Sequence, residues 1–378
     1  MIPVNEPRIR GNERKYLDDC IQTEFLSSEG PYVKRFEDAF SAFLQVKHGI
    51  AVCNGTAALE AALYAIDIRE GDEIIMPSFT IISCAIAALR LGAKPVLVDC
   101  EPLAWGINAT QIEAKITPRT RAIMAIDMYG QPCDYDLLFP LAEKHHLKIV
   151  EDFAEAQGAE YFSVYKGKKW MKCGSIGDVS ATSFYANKII TTGEGGMVCT
   201  NNPIIAERTR NYRNLCFIPG NRFHHEELGY NFRMTNLQAA VGLAQCEEIE
   251  TLIAIKRKNG DLYRKHLSDI NGLKFHPEMS FSKSVYWMYC VELDPAFGIT
   301  AHELMETLRK EGIDTRPFFK GLHEQPALHK LGLFKGENYP ATTHAYRYGF
   351  YLPSGFQLTE AQIVQVAHVL RKTLSHGK

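Results

Sequence analysis

The chain has 378 residues, 46% hydrophobic and 23% charged, which suits a sizeable core in two domains and argues against disorder. Its 44 acidic and 42 basic residues leave a net charge of −2, with no global attraction to nucleic acid or to an anionic membrane surface. No uninterrupted apolar run is long enough to span a bilayer, Met1 to Pro7 lacks a basic segment followed by an apolar one, and the ten cysteines include no C-x-x-C pair. The expectation is a cytoplasmic protein with reduced, mostly buried thiols.

Short apolar runs alternate with amphipathic stretches along the first two thirds. The pattern predicts strands over 50–53, 73–77, 95–99, 122–127, 148–151, 181–184 and 197–200, with helices over 57–66, 83–91, 109–115 and 137–145. Strand, crossover helix, strand is the signature of a largely parallel sheet covered on both faces. A polar, irregular stretch follows over 214–230. One long helix is predicted over 236–266, with apolar spacing at Ala240, Leu243, Ile249, Leu252 and Ile253. The pattern then changes to a strand over 285–293, a helix over 300–311, a strand over 314–318 and a helix over 359–374. Thr300 and Thr359 are placed to cap the two helices. The fold class is α/β, with a large domain over 1–250 and a smaller α+β domain over 251–378.

Three segments carry chemistry. Ile50 to Cys53 runs into Asn54-Gly55-Thr56 and then the strongly helical Ala57 to Leu63. A glycine turn opening a helix offers free N–H groups and the positive end of the helix dipole, a cradle for phosphate, although the same residues also cap helices that bind nothing. Asp152 stands at the end of the apolar run over 148–151, the fourth after that one, where open α/β sheets bind ligands, and Glu155 follows three residues later. Lys188 closes the run Ser183-Phe184-Tyr185-Ala186-Asn187-Lys188, 36 residues after Asp152, ahead of the turn Thr191 to Gly196. A lysine able to form an imine, a carboxylate able to hold a pyridine nitrogen and a phosphate cradle are what pyridoxal phosphate chemistry needs. Other features read as structural. His224-His225-Glu226-Glu227 lacks a spaced partner, so no metal is expected there. Lys166 to Lys169 reads as a solvated hairpin, and Tyr286-Trp287 with Tyr289 as core packing.

These segments, together with Ser27-Ser28-Glu29-Gly30-Pro31, Pro77-Ser78-Phe79-Thr80, Gly193-Glu194-Gly195-Gly196, Gly229-Tyr230-Asn231-Phe232-Arg233 and Thr315-Arg316-Pro317-Phe318-Phe319, resemble the sugar-nucleotide aminotransferase family of the DegT/StrS type. The resemblance covers nearly the whole chain and, within that family, is nearest to its perosamine-type members. It implies the fold-type-I architecture of pyridoxal phosphate transferases: a large, mixed, mostly parallel seven-stranded sheet domain, preceded by an N-terminal arm, and a smaller C-terminal domain. It also implies that the catalytic Lys188 carries the imine and shuttles the proton, while Asp152 pairs with the pyridinium nitrogen. Gly55, Thr56, Ala57 and Ser183 would hold the phosphate, and Glu155 would approach the phenolic oxygen. Asn231 would reach the phosphate in the other subunit of a homodimer. Ser28, Glu29, Arg233, Arg316 and His323 would contact substrate.

The reaction so implied moves the amino group of L-glutamate, by way of pyridoxamine 5'-phosphate, to C4 of a nucleotide-linked 4-keto-6-deoxy sugar, GDP-4-keto-6-deoxymannose foremost. The product would feed an O-antigen or another polysaccharide. Amination at C3, or on a dTDP- or UDP-linked sugar, is the alternative. Related dehydratases have histidine in place of the imine lysine, so Lys188 favours transamination. A cofactor-binding regulator would tolerate loss of Lys188 or Asp152, and both are present. The chain departs from the family at Ile81, where an aromatic residue is usual, at Asp127, where many relatives have histidine, and over 213–228, a basic and aromatic stretch expected to shape the substrate pocket.

Overall fold

The computed structural model describes residues 1–375 apart from 219 and 222. Seven strands build one sheet: β1 His48–Val52, β2 Glu73–Pro77, β3 Lys94–Val98, β4 Thr120–Ile126, β5 Lys148–Asp152 and, beyond a hairpin of β6 Glu160–Ser163 and β7 Lys169–Lys172, β8 Val179–Ser183 and β9 Gly196–Thr200. Their order is β1-β9-β8-β5-β4-β2-β3. The five strands from β8 to β3 run parallel, and only β9 opposes its neighbours. The parallel strands are nearly all buried, which is why they read as unbroken apolar runs. This is the mixed, mostly parallel seven-stranded sheet that the resemblance implies, and the largely parallel one that the sequence pattern predicts.

Helices α1 Glu13–Gln22, α2 Pro31–Leu44, α3 Gly55–Ala65, α4 Ser83–Arg90, α5 Tyr135–Lys144, α6 Pro203–Arg213, α7 Asn236–Glu247 and α8 Ile249–Leu267 accompany the sheet. Two helical expectations need correction. The stretch 109–115 forms two short 3-10 turns, Ala109–Gln111 and Glu113–Lys115, because Asn108 accepts the Thr110 amide and only Ile112 is buried. The predicted single helix over 236–266 is two helices that break at Glu248 (φ −101°, ψ 2°).

A second, four-stranded sheet has the order β10-β12-β14-β13, from Leu273–Phe275, Tyr289–Leu293, Gly349–Leu352 and Arg316–Pro317; β11 Ser282–Lys283 instead pairs with β6. Helices α9 Ala301–Lys310, α10 Pro326–Lys330, α11 Pro340–Tyr348 and α12 Glu360–Ser375 accompany it. Thr300 caps α9 as expected, in a capping box with Glu303, and Thr359 exchanges the same pair of bonds with Gln362. The strand expected over 285–293 begins only at Tyr289, since Tyr286 has φ 46°. That expected over 314–318 shrinks to two residues at Pro317, which has no N–H to pair.

Two apolar cores result. The larger lies around the seven-stranded sheet and draws in Trp287, Phe318 and Phe356 from the last third. The smaller gathers α9, α12 and the second sheet. Helix α8 serves both, with Ile249, Leu252 and Ile253 in the first and Tyr263 and Leu267 in the second. The cores also meet at Gly130 (φ 104°), where a Cβ would lie 2.8 Å from the amides of both Tyr286 and Trp287. Only glycine permits that approach.

Candidate active site

The C-terminal edge of the sheet forms the floor of the site. At the end of β1, Asn54 is extended (φ −166°, ψ 171°), and its Oδ1 accepts the Ala57 amide at 2.8 Å. Helix geometry gives the Gly55 and Thr56 amides no intrahelical acceptor, and both residues line a cavity of about 750 Å³. A Cβ on Gly55 would stand 2.7 Å from Ser183 Cβ, so glycine lets the start of α3 pack onto the end of β8. The Thr56 hydroxyl donates to Ser83 Oγ at 3.0 Å.

Beyond β8 the chain turns sharply to present Lys188. Its N–H donates to the Tyr185 carbonyl at 2.9 Å, and the Thr192 amide and Thr191 hydroxyl both reach the Phe184 carbonyl. Gln157 binds this turn from beneath: its amide donates to Thr182 Oγ1 at 3.0 Å and to the Ser183 carbonyl at 2.9 Å, and its oxygen accepts the Ile190 N–H at 3.1 Å. The Lys188 side chain is only 11% exposed, with Nζ 3.5 Å from Glu155 Oε1 and 4.1 Å from the centre of the Trp287 ring.

Both carboxyl groups lie in a desolvated setting. Burial pushes the pKa of Asp152 up; the Ala154 amide at 3.0 Å, the charge of Lys188 and the Cys84 thiol oppose it. Burial likewise pushes Glu155 up, against the charge of Lys188 and the Tyr129 amide at 3.0 Å. Burial holds the Cys84 thiol far above its ordinary value, so it is a neutral donor to Asp152 Oδ2 at 3.5 Å. A primary amine, a buried acid and a helix N-terminus opening on one cavity suit pyridoxal phosphate: Lys188 would bond its aldehyde, Asp152 would meet its ring nitrogen, and Gly55, Thr56, Ala57 and Ser183 would hold its phosphate.

Seven of the residues singled out in the sequence line this cavity: Gly55, Thr56, Ala57, Asp152, Glu155, Ser183 and Lys188. Six do not. Asn231 is exposed and bridges to Asn214. The Arg233 guanidinium bonds Asn214 Oδ1, and that of Arg316 bonds Asp314 at 2.5 Å. Ser28 is half-buried and Glu29 exposed, just before α2. His323 is buried with Nδ1 2.7 Å from the Ser78 hydroxyl and Nε2 3.3 Å from that of Thr343.

The departures also find places. Ile81 lines the cavity at 45% exposure. Asp127 is fully buried and accepts the Cys133 amide and the Tyr135 hydroxyl, both at 2.9 Å, a structural position. Within 213–228, Arg213 bonds Glu37 at 2.6 Å and the Ala51 carbonyl at 2.5 Å; none of the described residues of that stretch lines the cavity, and 219 and 222 lie outside the described residues. Sequence reasoning missed Trp287, Phe319 and Tyr351, which wall the cavity from the last third of the chain. Trp287 was expected in the core; it is buried, yet it lies against the site.

A family model described as the DegT/DnrJ/EryC1/StrS aminotransferase family matches residues 7–371. The chain is 40% identical to a GDP-perosamine synthase of Caulobacter vibrioides, over 99% of this chain and 98% of that one. It is 38% identical to a GDP-perosamine synthase of Vibrio cholerae, over 98% of each. Among solved structures, it is similar to DesI in the presence of its TDP-sugar product (30% identity, TM-score 0.88, covering 100% of this chain and 93% of that one). It also resembles Helicobacter pylori PseC, an aminotransferase involved in the biosynthesis of pseudoaminic acid (26% identity, TM-score 0.90, covering 99% of each). The chain therefore belongs to the DegT/DnrJ/EryC1/StrS family of pyridoxal phosphate-dependent aminotransferases.

Proposed function

We propose that this protein uses pyridoxal 5'-phosphate to transfer the amino group of L-glutamate to C4 of a nucleotide-linked 4-keto-6-deoxy sugar, GDP-4-keto-6-deoxymannose foremost, forming GDP-perosamine. The observation that carries the chemistry is the Lys188 amine 3.5 Å from Glu155, in one cavity with Asp152 and the start of α3. The length and identity of the match to the perosamine synthases support the choice of sugar. When bound, the cofactor stores the amino group between the two half-reactions and spreads the charge that develops at the reacting carbon.

The chain's own residues supply the rest. Lys188 Nζ moves the proton to and from the reacting carbon. Asp152 keeps a proton on the ring nitrogen, a task suited to a buried carboxylate that gains by sharing one. Glu155 holds a negative charge beside Nζ. Trp287, Phe319 and Tyr351 keep bulk water from one side. Asn231, exposed and outside its own cavity, fits a homodimer in which each copy completes the other's phosphate site. A cytoplasmic location fits this reading too; among the described residues, no helix is long and apolar enough to cross a membrane.

The test supplies glutamate and the keto sugar on GDP, dTDP or UDP, follows 2-oxoglutarate, and assigns the aminated carbon by NMR. Lys188→Ala abolishes 2-oxoglutarate formation; full turnover in that variant refutes the proposal. Amination at C3, or turnover only with dTDP- or UDP-sugars, refutes the choice of substrate and leaves the cofactor chemistry intact.

A further inference from the structure

Trp287 is 2% exposed, just ahead of β12, and comes from the part of the chain remote in sequence from the lysine turn. Its one polar atom serves that turn: indole Nε1 donates to the Asn187 carbonyl at 2.6 Å. Its ring lies 4.1 Å below the amine of the next residue, Lys188. One side chain thus fixes both the backbone leading into Lys188 and the end of its side chain.

Trp287 is itself held at its ring and at its backbone. Its ring is parallel to that of Tyr129 (5°, centroids 6.2 Å apart). Its backbone carbonyl accepts from Lys256 Nζ at 2.9 Å, and the same buried amine reaches the Ser354 carbonyl at 2.6 Å and Asn5 Oδ1 at 3.2 Å. Asn5 closes the circuit by donating its amide to the Asn187 carbonyl at 2.9 Å. Asn5 of the N-terminal arm and Trp287 ahead of β12 thus meet on the peptide before the lysine, and Lys256 of α8 bonds both of them.

We infer that Trp287 is a positioning residue that seats the Lys188 amine against its indole face, so that the amine meets the cofactor aldehyde in one orientation. The inference rests on the pyridoxal phosphate reading above. In the step it serves, Nζ forms a C=N bond with the aldehyde carbon, the C=O bond breaks, and the two amine hydrogens leave with the oxygen as water; nothing is oxidised or reduced. A lysine has several rotatable bonds, and confining its tip to a ring face raises the share of reactive geometries.

The experiment uses the full chain as apoprotein, in wild type, Trp287→Phe and Trp287→Leu. The rate at which Lys188 captures pyridoxal phosphate is read from the absorbance of the lysine-bound cofactor. Affinity for pyridoxamine 5'-phosphate, which has no aldehyde and needs no lysine, is measured in parallel. Trp287→Leu is expected to slow capture about tenfold or more while affinity for the pyridoxamine form stays within about threefold. Trp287→Phe, which keeps a ring face and loses the N–H, is expected to fall between, slowed about threefold or more. Capture within twofold of wild type in either variant that folds, or a parallel loss of affinity for the pyridoxamine form, overturns the inference. Failure of the cofactor reading shows separately, as wild-type protein that binds neither compound.

Discussion

The contact between Gly55 and Ser183 gives the sharpest expectation. In Gly55→Ala the new methyl lies 2.7 Å from Ser183 Cβ, 3.1 Å from its Oγ and 3.3 Å from its Cα. Carbon atoms at rest sit about 3.5–4.0 Å apart, so α3 and β8 must separate by about 1 Å. Overpacking of that size costs about 1–3 kcal/mol. The better helix propensity of alanine returns less than about 1 kcal/mol at a first-turn position, so the steric term wins. The same shift carries the first amides of α3 away from Ser183 and from any phosphate between them. Losing one charge-assisted hydrogen bond of about 1.5–3 kcal/mol weakens binding roughly 10- to 100-fold. Titration calorimetry on the apoprotein should show that loss for pyridoxamine 5'-phosphate and little change for pyridoxamine, which lacks the phosphate. Adding Ser183→Gly should restore part of the affinity, because the two sites touch and their effects are not additive. Wild-type affinity in Gly55→Ala, or an equal loss for pyridoxamine, would falsify the assignment of a phosphate cradle.

Other expectations follow from burial and charge. Because burial raises the pKa of Asp152 above 3.8, the folded apoprotein holds that proton more tightly than the unfolded chain. The associated stability is complete below 3.8 and is lost as pH rises through the raised value. Asp152→Asn should therefore gain stability on wild type, by urea unfolding of the apoprotein, as pH goes from 4 to 8, and should lose about 100-fold or more in turnover; a pH-independent difference contradicts this. Lys256 behaves inversely: burial lowers it from 10.5 to about 7, so above pH 7 the unfolded chain binds more protons and wild type should gain stability over Lys256→Met up to about pH 10. A flat difference over that range would dismiss the account. Ile81→Phe restores a ring at the cavity wall, worth about 0.5–1.5 kcal/mol of stacking. Dialysis should show cofactor loss slowed about 2- to 10-fold, and unchanged retention would mean that Ile81 does not cover the ring.

The large sheet was legible because its parallel strands are buried on both faces and announce themselves as apolar runs ended by polar turns. Lys188, Asp152 and Gly55 each stand at such an end, and the topology brings those ends together. The far wall of the site was not legible. Trp287 lies beside Lys188 in a segment that packs closely on Gly130, and nothing near Trp287 in the sequence reports that contact. Its aromatic neighbours gave the signal of an ordinary core. The break at Glu248 escaped notice because the apolar spacing continues across it, and the strands of the second sheet are too short to show a clear alternation.

Helix α8 lends one end to each apolar core, with Lys256 between. It works as an axle fixed in both wheels. The two halves of the molecule are therefore expected to melt together, in a single calorimetric peak, and neither is free to swing about a slack joint. On the proposed function, substrates are then expected to come and go past side chains at the rim, with the frame itself little changed.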